Sequence, residues 1–586
     1  MHTWIRLGVA YRASGKHVAS LKVFAKALSI DPTSWYAKFS IGDVQREIGL
    51  LESAVKTFRE ILVERPEELG VLVVLSETLL ASGVEEMKGG STARAEESFV
   101  AALEMAERII GAGLATRVAW KVAGDALGGL AGIAELSKGD EATTIGLRLL
   151  SILGEEKVDV KIEGMDAVTA ESLTAGFDGV GSAVFFAGLQ VLAFKMRILL
   201  ETENDSSIGS AWLDLGLAIS RLHPAVDSTT TDEAQHQSIR CLKFALQLEP
   251  LNSLFWNALG VLSFTLSPRL SQHALIKSIE HSPRAAVPWT NLGFFYLSHE
   301  EEELANMAFL KAQVLDPDYE AAWAGQAILA DRAGEGVVAA GLWSHAFSLP
   351  GSCAEADVGF AISSFAQHRA TASTSTAGST TEALSAPLFA LTRYLSASPR
   401  DFHALHLQSL ILEQIDDLPS SSTALELAAS ILEEIYEEDE SPLVEARFII
   451  AQSNLGRVRL AMEDWEGAKV AFEMGLSLLN LDELDRSSAP SDPAAGVLTR
   501  SQSIMLFTAC KLGMGIAHYS LGEMEAAIEV WNGALEDLDT FDGAREGAVG
   551  RRADLDVALG KLYWSRGEED LAISSFLDSP NVSVSL

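Results

Sequence analysis

Residues 286–317 read AVPWTNLGFFYLSHEEEELANMAFLKAQVLDP. The positions that recur elsewhere in the chain are Trp289, Leu292, Gly293, Tyr296, Ala305, Phe309, Ala312 and Pro317. The first four fall at i, i+3, i+4 and i+7, which places them on one face of a helix, and the next three mark a face of a second helix. Proline cannot continue a helix, so Pro317 ends the second one. The stretch predicts two helices that pack as a hairpin.

The same spacing recurs along the chain in steps of about 34 residues. At the N-terminal end it comprises Trp4, Leu7, Gly8, Tyr11, Phe24, Ala27 and Pro32, and one step later Ala54, Phe58 and Pro66. In mid-chain it comprises Trp212 with Gly216, Trp256 with Gly260, and Trp323. Small residues such as Gly8 and Ala27 are expected where two helix axes approach most closely. Ser20 departs from the pattern, which usually has alanine at that position.

A two-helix unit of this length and spacing is the tetratricopeptide repeat. Adjacent units bury a continuous core by stacking, so the sequence predicts an all-α solenoid of helical hairpins wound as a right-handed superhelix. Weaker repeats follow at Gly456 with Phe472, Gly515 with Trp531, and Gly560 with Phe576. Because the pattern is already present at Met1 and runs nearly to Leu586, we expect the chain to be part of a longer array.

One irregular insertion and two low-complexity linkers are expected to interrupt the array. The predicted segments are repeats at 1–137, an irregular helical insertion at 138–205, repeats at 206–370, a Ser/Thr-rich linker at 371–386, and weaker repeats at 387–586 with a second linker near 481–496. The first linker is almost entirely Ser, Thr, Ala and Gly, a composition too polar to bury itself. Trp120 opens a helix of the repeat type, although the residues after it lose the register. The Trp212 hairpin is expected to be widened by residues 223–232.

The charge balance argues against nucleic-acid binding. The 586 residues carry 44 Lys and Arg against 81 Asp and Glu, a net charge of −37. Such a field repels phosphate backbones and anionic membrane surfaces, so we expect no direct contact with nucleic acid or membrane. The apolar stretch 183–200 is interrupted by Gln190, Lys195 and Arg197, which indicates a buried helix and not a membrane span.

No residue pattern predicts catalysis, a cofactor or a metal site. The glycines of residues 176–181 have the wrong order for a dinucleotide-binding fingerprint, and Gly-Lys-His at 15–17 lacks the upstream glycine and the Ser or Thr of a phosphate loop. His403 and His406 are three residues apart on a predicted helix, but no third ligand joins them at metal-binding spacing. The three cysteines are Cys241, Cys353 and Cys510. They form no motif, which indicates burial in a protein of a reducing compartment.

Several blocks go beyond the generic repeat and resemble the tetratricopeptide subunit of the superkiller (Ski) complex. They are WKVAGDA at 120–126, WLDLG at 212–216, FWNALGV at 255–261, AVPWTNLG at 286–293, and LDPDY at 315–319 followed by WAGQA at 323–327. Their order and spacing are similar to those of that subunit. The residues that repeat packing does not demand are Lys121, Asp125, Asn257, Thr290 and Asn291.

This resemblance implies a scaffold without catalytic activity in cytoplasmic messenger-RNA turnover. The subunit of that family is the platform on which a DExH-box RNA helicase and WD40-propeller subunits assemble, so that RNA is fed to the cytoplasmic exosome for decay from the 3′ end. One departure concerns the family's propeller-binding motif, which is Gln-Arg followed, after two intervening residues, by an apolar residue. Here it is met only at Gln45-Arg46, where Gly49 takes the apolar place, so the propeller contact is not transferred to this pair.

A chaperone-cofactor adaptor is the competing interpretation, and a generic assembly scaffold is the remaining one. Such adaptors hold an acidic peptide with Lys, Arg and Asn on the first helices of their repeats. Here those faces carry residues such as Ile5, Val9 and Phe294, and only Asn291 is suitable. A negative groove also repels an acidic peptide. The acidic run at 433–440 is either a contact for a basic partner or, as is commoner, a solvated helix end.

Overall fold

Every regular element that the structure describes is an α-helix. The computed structural model describes residues 1–113, 117–133, 136–155, 182–200, 207–222, 228–351, 353–371, 377–438, 441–479, 500–540 and 548–578. These ranges contain 27 helices and no strand. The all-α prediction is therefore confirmed. The chain divides into two compact units, Met1–Gly359 and Phe360–Leu586.

The helices follow one another with short connections wherever neighbouring residues are described. The first unit holds α1 (His2–Ala13), α2 (His17–Ile30), α3 (Trp35–Glu47), α4 (Leu51–Glu64), α5 (Leu69–Lys88), α6 (Thr92–Gly111), α7 (Arg117–Ala131), α8 (Gly139–Glu155), α9 (Ser182–Leu200), α10 (Ile208–Leu222), α11 (Ser228–Leu248), α12 (Ser253–Leu262), α13 (Pro268–His281), α14 (Ala286–Ser298), α15 (Glu302–Leu315), α16 (Glu320–Arg332) and α17 (Gly336–Ser348). The boundary between the units falls within α18 (Ala354–Thr371). The second unit continues with α19 (Ala377–Ala397), α20 (Phe402–Gln414), α21 (Leu418–Glu438), α22 (Pro442–Ala461), α23 (Trp465–Leu478), α24 (Arg500–Ser520), α25 (Met524–Thr540), α26 (Ala548–Arg566) and α27 (Glu569–Asp578).

Consecutive helices pair as hairpins, and within each unit neighbouring hairpins pack on one another. In the first unit α1 pairs with α2, α3 with α4, α5 with α6, α10 with α11, α12 with α13, α14 with α15, and α16 with α17. In the second unit the pairs are α20 with α21, α22 with α23, α24 with α25, and α26 with α27. First helices also contact the first helix of the next hairpin, as α12 does with α14 and α14 with α16. This is the stacking of a tetratricopeptide solenoid.

A close contact between glycine and an aromatic ring holds most hairpins together. A Cβ atom on the glycine would lie 2.4 to 2.7 Å from the ring in the pairs Gly8–Phe24, Gly42–Phe58, Gly83–Phe99, Gly293–Phe309, Gly456–Phe472 and Gly560–Phe576. Only glycine leaves room for the ring at that distance. Phe24, Phe58 and Phe309 are fully buried, and burial of each such side chain stabilises the fold by roughly 1.5–3 kcal/mol.

The hairpin that Trp120 opens is completed far along the sequence. Gly124 on α7 would place a Cβ 2.5 Å from Cε1 of Phe194 on α9, the same contact that joins other hairpins. α8 lies between them in sequence and packs on α6 and α9. Within the described part of segment 138–205 we therefore find two ordinary helices, one of which serves as the second helix of α7. Residues 156–181 and 201–206 lie outside the described residues.

The apolar window Ala183–Leu200 lies within α9. Its length and mean hydropathy of 1.8 would suffice for a membrane span. In the structure 72% of this window is buried inside the protein, where it packs against α7. Lys195 and Arg197 are among the buried residues. The window therefore forms part of the protein core.

The structure differs from two other expectations about interruptions. Helix α19 begins at Ala377 within the segment expected to be a linker, and Leu384 is fully buried. Three leucines at i, i+4 and i+7, beginning at Leu384, give this Ser- and Thr-rich helix an apolar face, with Leu391 also fully buried. Helix α11 begins at Ser228, inside the expected widening of the Trp212 hairpin. Residues 223–227 and 372–376, and the second linker near 481–496, lie outside the described residues.

Candidate protein-docking surface on the first helices

The recurring positions of the repeat are placed mainly in the core. Those that are buried are Gly8, Phe24, Ala27, Ala54, Phe58, Gly216, Gly260, Leu292, Gly293, Ala305, Phe309 and Ala312. Those that are partly buried are Tyr11, Trp212, Trp256, Trp289, Tyr296 and Trp323. The prolines Pro32, Pro66 and Pro317 are exposed, each two residues beyond the end of a second helix.

Trp4 and Leu7 differ from the expectation that they pack in the core. They are 38% and 39% exposed. By contrast, α7 packs on α6 and its Trp120 is only 1% exposed. The side of α1 that carries Trp4 and Leu7 is therefore less covered than the equivalent side of α7.

Two tryptophans tie one hairpin to the end of the previous one. The indole Nε1 of Trp256 donates a hydrogen bond to the carbonyl oxygen of Pro250 at 2.8 Å, and Trp323 does the same to Pro317 at 2.8 Å. Both bonds connect residues six apart. These tryptophans therefore serve the stacking of hairpins and are not free aromatic platforms.

A charged cluster joins α7, α9 and α10. The guanidinium of Arg197 on α9 donates to the carboxylate of Asp214 on α10 and, at 3.0 Å, to Ser210 Oγ. The ammonium of Lys121 on α7 lies 3.4 Å from Asp214 Oδ2 and 3.6 Å from Asp125 Oδ2. The Arg197 side chain is only 5% exposed. The cluster therefore fixes the register of three helices where the sequence interrupts the repeat.

The pKa of Asp125 reflects this environment. Burial raises the pKa of the Asp125 carboxyl above its ordinary value, while the positive charge of Lys121 acts in the opposite direction. Burial acts this way because it disfavours the charged form of a carboxyl. Lys121 and Asp125 were two of the residues that repeat packing did not demand, and their role in the structure is this interhelical charge contact.

An asparagine pair occupies the corresponding surface further along the solenoid. Asn291 on α14 donates a hydrogen bond from Nδ2 to Oδ1 of Asn257 on α12 at 2.9 Å. Both side chains are partly exposed. The pair leaves the amide nitrogen of Asn257 and the amide oxygen of Asn291 without a further hydrogen bond in the described part of the chain. One donor and one acceptor are thus presented side by side.

Apolar side chains surround the asparagine pair on the same helix faces. Leu254 and Val261 lie at i−3 and i+4 from Asn257 on α12, and Val287 lies at i−4 from Asn291 on α14. Leu254 is 60% exposed, and Val261 and Val287 are more than two-fifths exposed. We define these five residues, together with Phe294 on α14, as the first-helix face. A polypeptide laid on it meets apolar contacts and paired amide groups, but no nucleophile.

The Gln45-Arg46 pair is occupied by contacts within the repeats. Gln45 Oε1 accepts a hydrogen bond from Thr57 Oγ1 at 3.0 Å. Arg46 contacts Asp43 at 3.2 Å and Glu77 at 3.1 Å. Both side chains therefore connect neighbouring helices. This agrees with the interpretation that Gln45-Arg46 is not the propeller-binding motif of the family.

The histidine pair on α20 serves packing. The ring of His403 packs against that of Phe402, with centroids 4.2 Å apart and the ring planes tilted by 37°, and His406 Nε2 lies 2.7 Å from Asn454 Nδ2 on α22. Burial lowers the pKa of both imidazoles. Among the described residues no group of three His, Cys, Asp or Glu side chains is arranged to hold a metal ion.

All three cysteines are buried, and none of them forms a disulfide bond. Burial raises the pKa of Cys241 and of Cys353 to about 12, and it also raises the pKa of Cys510. A thiol with so high a pKa carries almost no thiolate at neutral pH and is a poor nucleophile. The cysteines therefore act as small core residues.

Of the apolar residues of the first-helix face, sequence reasoning identified only Phe294. A signal was present: Leu254 and Val261 are seven residues apart and lie away from the helix side that carries Leu259. In the sequence, Asp214 is only one residue of the WLDLG block, and Arg197 only interrupts an apolar stretch. The ion pair between Arg197 on α9 and Asp214 on α10 is visible only in the tertiary structure.

Comparisons with known proteins agree with this fold. A tetratricopeptide-repeat family model matches residues 2–34. Superkiller protein 3 of Schizosaccharomyces pombe is 26% identical over 570 residues, which cover 97% of this chain and 38% of that protein. Along almost its whole length, this chain resembles superkiller protein 3. The superkiller protein 3 of Saccharomyces cerevisiae is 24% identical over 80% of this chain and 32% of its own length, and human superkiller complex protein 3 is 28% identical over 56% and 20%.

The matches confirm the resemblance that the motif blocks indicated. The chain spans well under half of the length of each superkiller protein that it resembles. The similarity to superkiller protein 3 thus concerns a part of these longer proteins.

Proposed function

We propose that this chain is a non-catalytic interaction scaffold in a cytoplasmic superkiller-type complex. It holds a DExH-box RNA helicase together with WD40-propeller subunits, so that messenger RNA is unwound and delivered to the cytoplasmic exosome for decay from the 3′ end. The observation that carries the proposal is the similarity to superkiller protein 3 over 97% of this chain.

The first-helix face supports a binding role. Its exposed apolar residues Leu254 and Val287 flank the Asn257–Asn291 pair on consecutive first helices. A partner segment that covers them removes apolar surface from water, and the amide pair fixes its position through one donor and one acceptor. Such a surface distributes contacts over several hairpins and needs no reactive residue.

The overall charge supports a basic protein partner. The chain carries a net charge of −37, which speeds the encounter with a positively charged protein surface. An RNA helicase presents basic surface because it binds phosphate groups. The RNA itself is repelled by the same field, which is consistent with the scaffold acting through its protein partners.

Reconstitution tests this proposal. The purified chain is mixed with the superkiller-type helicase and WD40 subunits of the same organism, and complexes are measured by size-exclusion chromatography with light scattering. We expect a stoichiometric complex. The double variant Leu254→Ser with Val287→Ser weakens it, whereas Val18→Ser, an exposed valine on the second helix α2, leaves it unchanged.

Two outcomes contradict the proposal. If neither the helicase nor the propeller protein co-elutes with the chain, the chain is not a scaffold of this complex. If instead the chain binds the acidic C-terminal peptides of chaperones, the adaptor interpretation replaces it. Hydrolysis of a substrate by the purified chain alone would exclude a purely scaffolding role.

A further inference from the structure

Helix α15 exposes a stripe of large apolar side chains on the side opposite its core contacts. The stripe consists of Leu304, Met307, Leu310 and Val314, which are 43%, 67%, 47% and 77% exposed. Their spacing of three, three and four residues keeps them on one side of the helix over about 15 Å. The core side of α15 carries Ala305, Ala308, Phe309 and Ala312. We refer to the four exposed residues as the α15 stripe.

Repeat packing does not require this stripe. Counted from the core residue of each second helix, the positions of Met307, Leu310 and Val314 can be compared with those in five other hairpins. They are Lys22, Ala25 and Ser29 on α2, Lys56, Arg59 and Val63 on α4, Arg240, Lys243 and Gln247 on α11, His273, Ile276 and Glu280 on α13, and Gly341, Ser344 and Ser348 on α17. In these hairpins most of the positions are polar or charged. Three apolar residues at these positions set α15 apart from these five second helices.

Acidic residues lie at both ends of the α15 stripe. Glu300, Glu301, Glu302 and Glu303 precede or begin the helix, and Asp316 and Asp318 follow it. All six are exposed, and none forms an ion pair within the described part of the chain. Lys311 is the one basic residue of α15, and it lies on the same side as the stripe, at i+4 from Met307 and i−3 from Val314. Apart from this lysine, the stripe is an apolar strip between two negative ends.

We propose that the α15 stripe is a docking surface for an amphipathic helix of a partner protein, with Lys or Arg at both ends of that helix. An amphipathic helix anchors at i, i+3 or i+4, and i+7, which matches the length and spacing of the stripe. Each large apolar side chain that leaves water contributes favourable free energy to the contact. The basic ends meet Glu300–Glu303 on one side and Asp316 with Asp318 on the other, which sets the orientation.

The negative charges around the α15 stripe also argue against two other occupants, a membrane surface and a second copy of the chain. An anionic membrane surface is repelled by six carboxylates around so short a stripe. A second copy of this chain carries the same net charge of −37 and is repelled as a whole. This surface lies on a second helix, away from the first-helix face, so the inference does not depend on the proposed function.

A pair of synthetic peptides tests the proposal. The probe is a fluorescein-labelled peptide of about 20 residues, long enough to exceed the stripe, with Leu on one helical face and Lys at both ends. Its isomer has the same composition but distributes the Leu residues around the helix. Binding to the full chain is measured by fluorescence anisotropy at about 0.15 M salt. We expect the patterned peptide to bind about ten times more tightly than the isomer, a difference of about 1.4 kcal/mol.

The double variant Met307→Ser with Val314→Ser should reduce that preference to less than about twofold, because it removes the apolar contacts. The matched control is Val63→Ser on α4. Val63 occupies the same repeat position as Val314 and is 85% exposed, so its replacement should leave the preference unchanged. All of these positions are largely exposed, and unchanged circular dichroism melting verifies that each variant is folded.

Three results overturn the proposal. Equal binding of the two peptides shows that charge alone drives the contact, and an unchanged preference in the double variant places the contact elsewhere. A dimer of the chain that the double variant abolishes, detected by light scattering, makes a second copy the occupant. Binding to phosphatidylserine vesicles that depends on Met307 and Val314 makes a membrane the occupant.

Discussion

Gly293 lies so close to Phe309 that a Cβ atom on the glycine would be 2.6 Å from Cε1 of the ring. Gly325 on the next first helix, α16, approaches the same ring, and its Cβ would lie 2.4 Å from Cε1. The fully buried ring of Phe309 thus contacts both the first helix of its own hairpin and that of the next hairpin. One side chain therefore connects three helices, and its environment tolerates little change in volume.

Replacement of Gly293 tests this contact. Gly293→Ala should lower the free energy of unfolding by about 1–3 kcal/mol, because the added methyl group overlaps the Phe309 ring. The control is Gly341→Ala in the interior of α17, where an added Cβ would meet no atom within 4 Å. There alanine should raise stability by up to about 1 kcal/mol through its helix propensity. Hydrogen exchange of α14 and α15 measures the first effect, and equal exchange in Gly293→Ala and the parent would contradict it.

Serine at the repeat position that usually carries alanine makes a buried hydrogen bond. Ser20 Oγ donates to the carbonyl oxygen of Gly8 at 2.8 Å. Ser20→Ala should therefore lower stability by about 1 kcal/mol, although alanine is the usual residue. Ser29→Ala on the exposed side of α2 should have a smaller effect. Thermal unfolding compares the two variants. Equal melting temperatures would show that the buried hydrogen bond makes no net contribution to the stability of the fold.

The charged cluster at α7, α9 and α10 should be more sensitive than surface ion pairs. Asp214→Asn removes the charge that Arg197 and Lys121 share, and we expect a loss of about 2–3 kcal/mol, because Arg197 is buried. The exposed pair of Lys38 and Glu64, 2.8 Å apart, provides the control. Glu64→Gln should cost less than about 1 kcal/mol. Denaturant unfolding measures the loss of stability in both variants. A loss for Asp214→Asn no greater than that for Glu64→Gln would contradict a stabilising role of the charged cluster.

Acid should weaken the packing of α20 against α22. Burial, with smaller effects from the positive charges of His403 and Arg457, lowers the pKa of His406 below its ordinary value of 6.5. Below about pH 6.5 the unfolded chain then binds more protons at this site than the folded chain, so stability falls as the pH decreases towards the folded pKa. Above pH 6.5 the contribution is fully present.

His406→Gln should flatten this pH dependence. The amide has no titratable proton, so the difference in melting temperature between about pH 7.5 and about pH 5.5 should shrink. His2→Gln, at an exposed position in α1, is the control and should retain the parent's dependence. Equal pH dependence in His406→Gln and the parent would assign the acid sensitivity to other groups.

The local part of the fold was predictable from sequence. Gly8 with Phe24 and Gly293 with Phe309 are 16 residues apart, and a single hairpin brings them together through helix periodicity alone. The spacing also placed the helix ends before Pro32 and Pro317. Stacking then follows, since each hairpin has an apolar face that only a neighbour can cover.

The serine hydrogen bonds show where the pattern was insufficient. Ser20 was recognised only as a departure from alanine, but equivalent bonds occur from Ser238 to Gly216 at 2.6 Å, from Ser271 to Gly260 at 2.7 Å, and from Ser421 to Ser409 at 3.0 Å. In each case a buried hydroxyl donates to a carbonyl oxygen on the first helix. The sequence shows that serine recurs at this repeat position in four hairpins. It does not show which carbonyl oxygen accepts the hydrogen bond of each serine.

The candidate surface was predictable only in part. Asn257 and Asn291 were identified because packing does not demand them, and stacking places residues 34 apart on adjacent first helices. Their hydrogen bond follows from that geometry. The exposed valines and leucine around them were not identified, because apolar residues on a repeat helix are normally assigned to the core.

The long separation between Gly124 and Phe194 has a consequence for the order of folding. These two residues are 70 apart in the sequence, compared with 16 for Gly293 and Phe309, so closing the α7–α9 hairpin costs about 1.3 kcal/mol more in chain entropy. Most hairpins can nucleate from neighbouring residues as soon as they are synthesised. The α7–α9 pair must wait until α9 has been synthesised, so the face of α7 that carries Gly124 stays uncovered by Phe194 until then. We therefore expect the pairing of α7 with α9 to be the slowest step in the folding of the first unit. The hairpins on either side of this pair should form earlier.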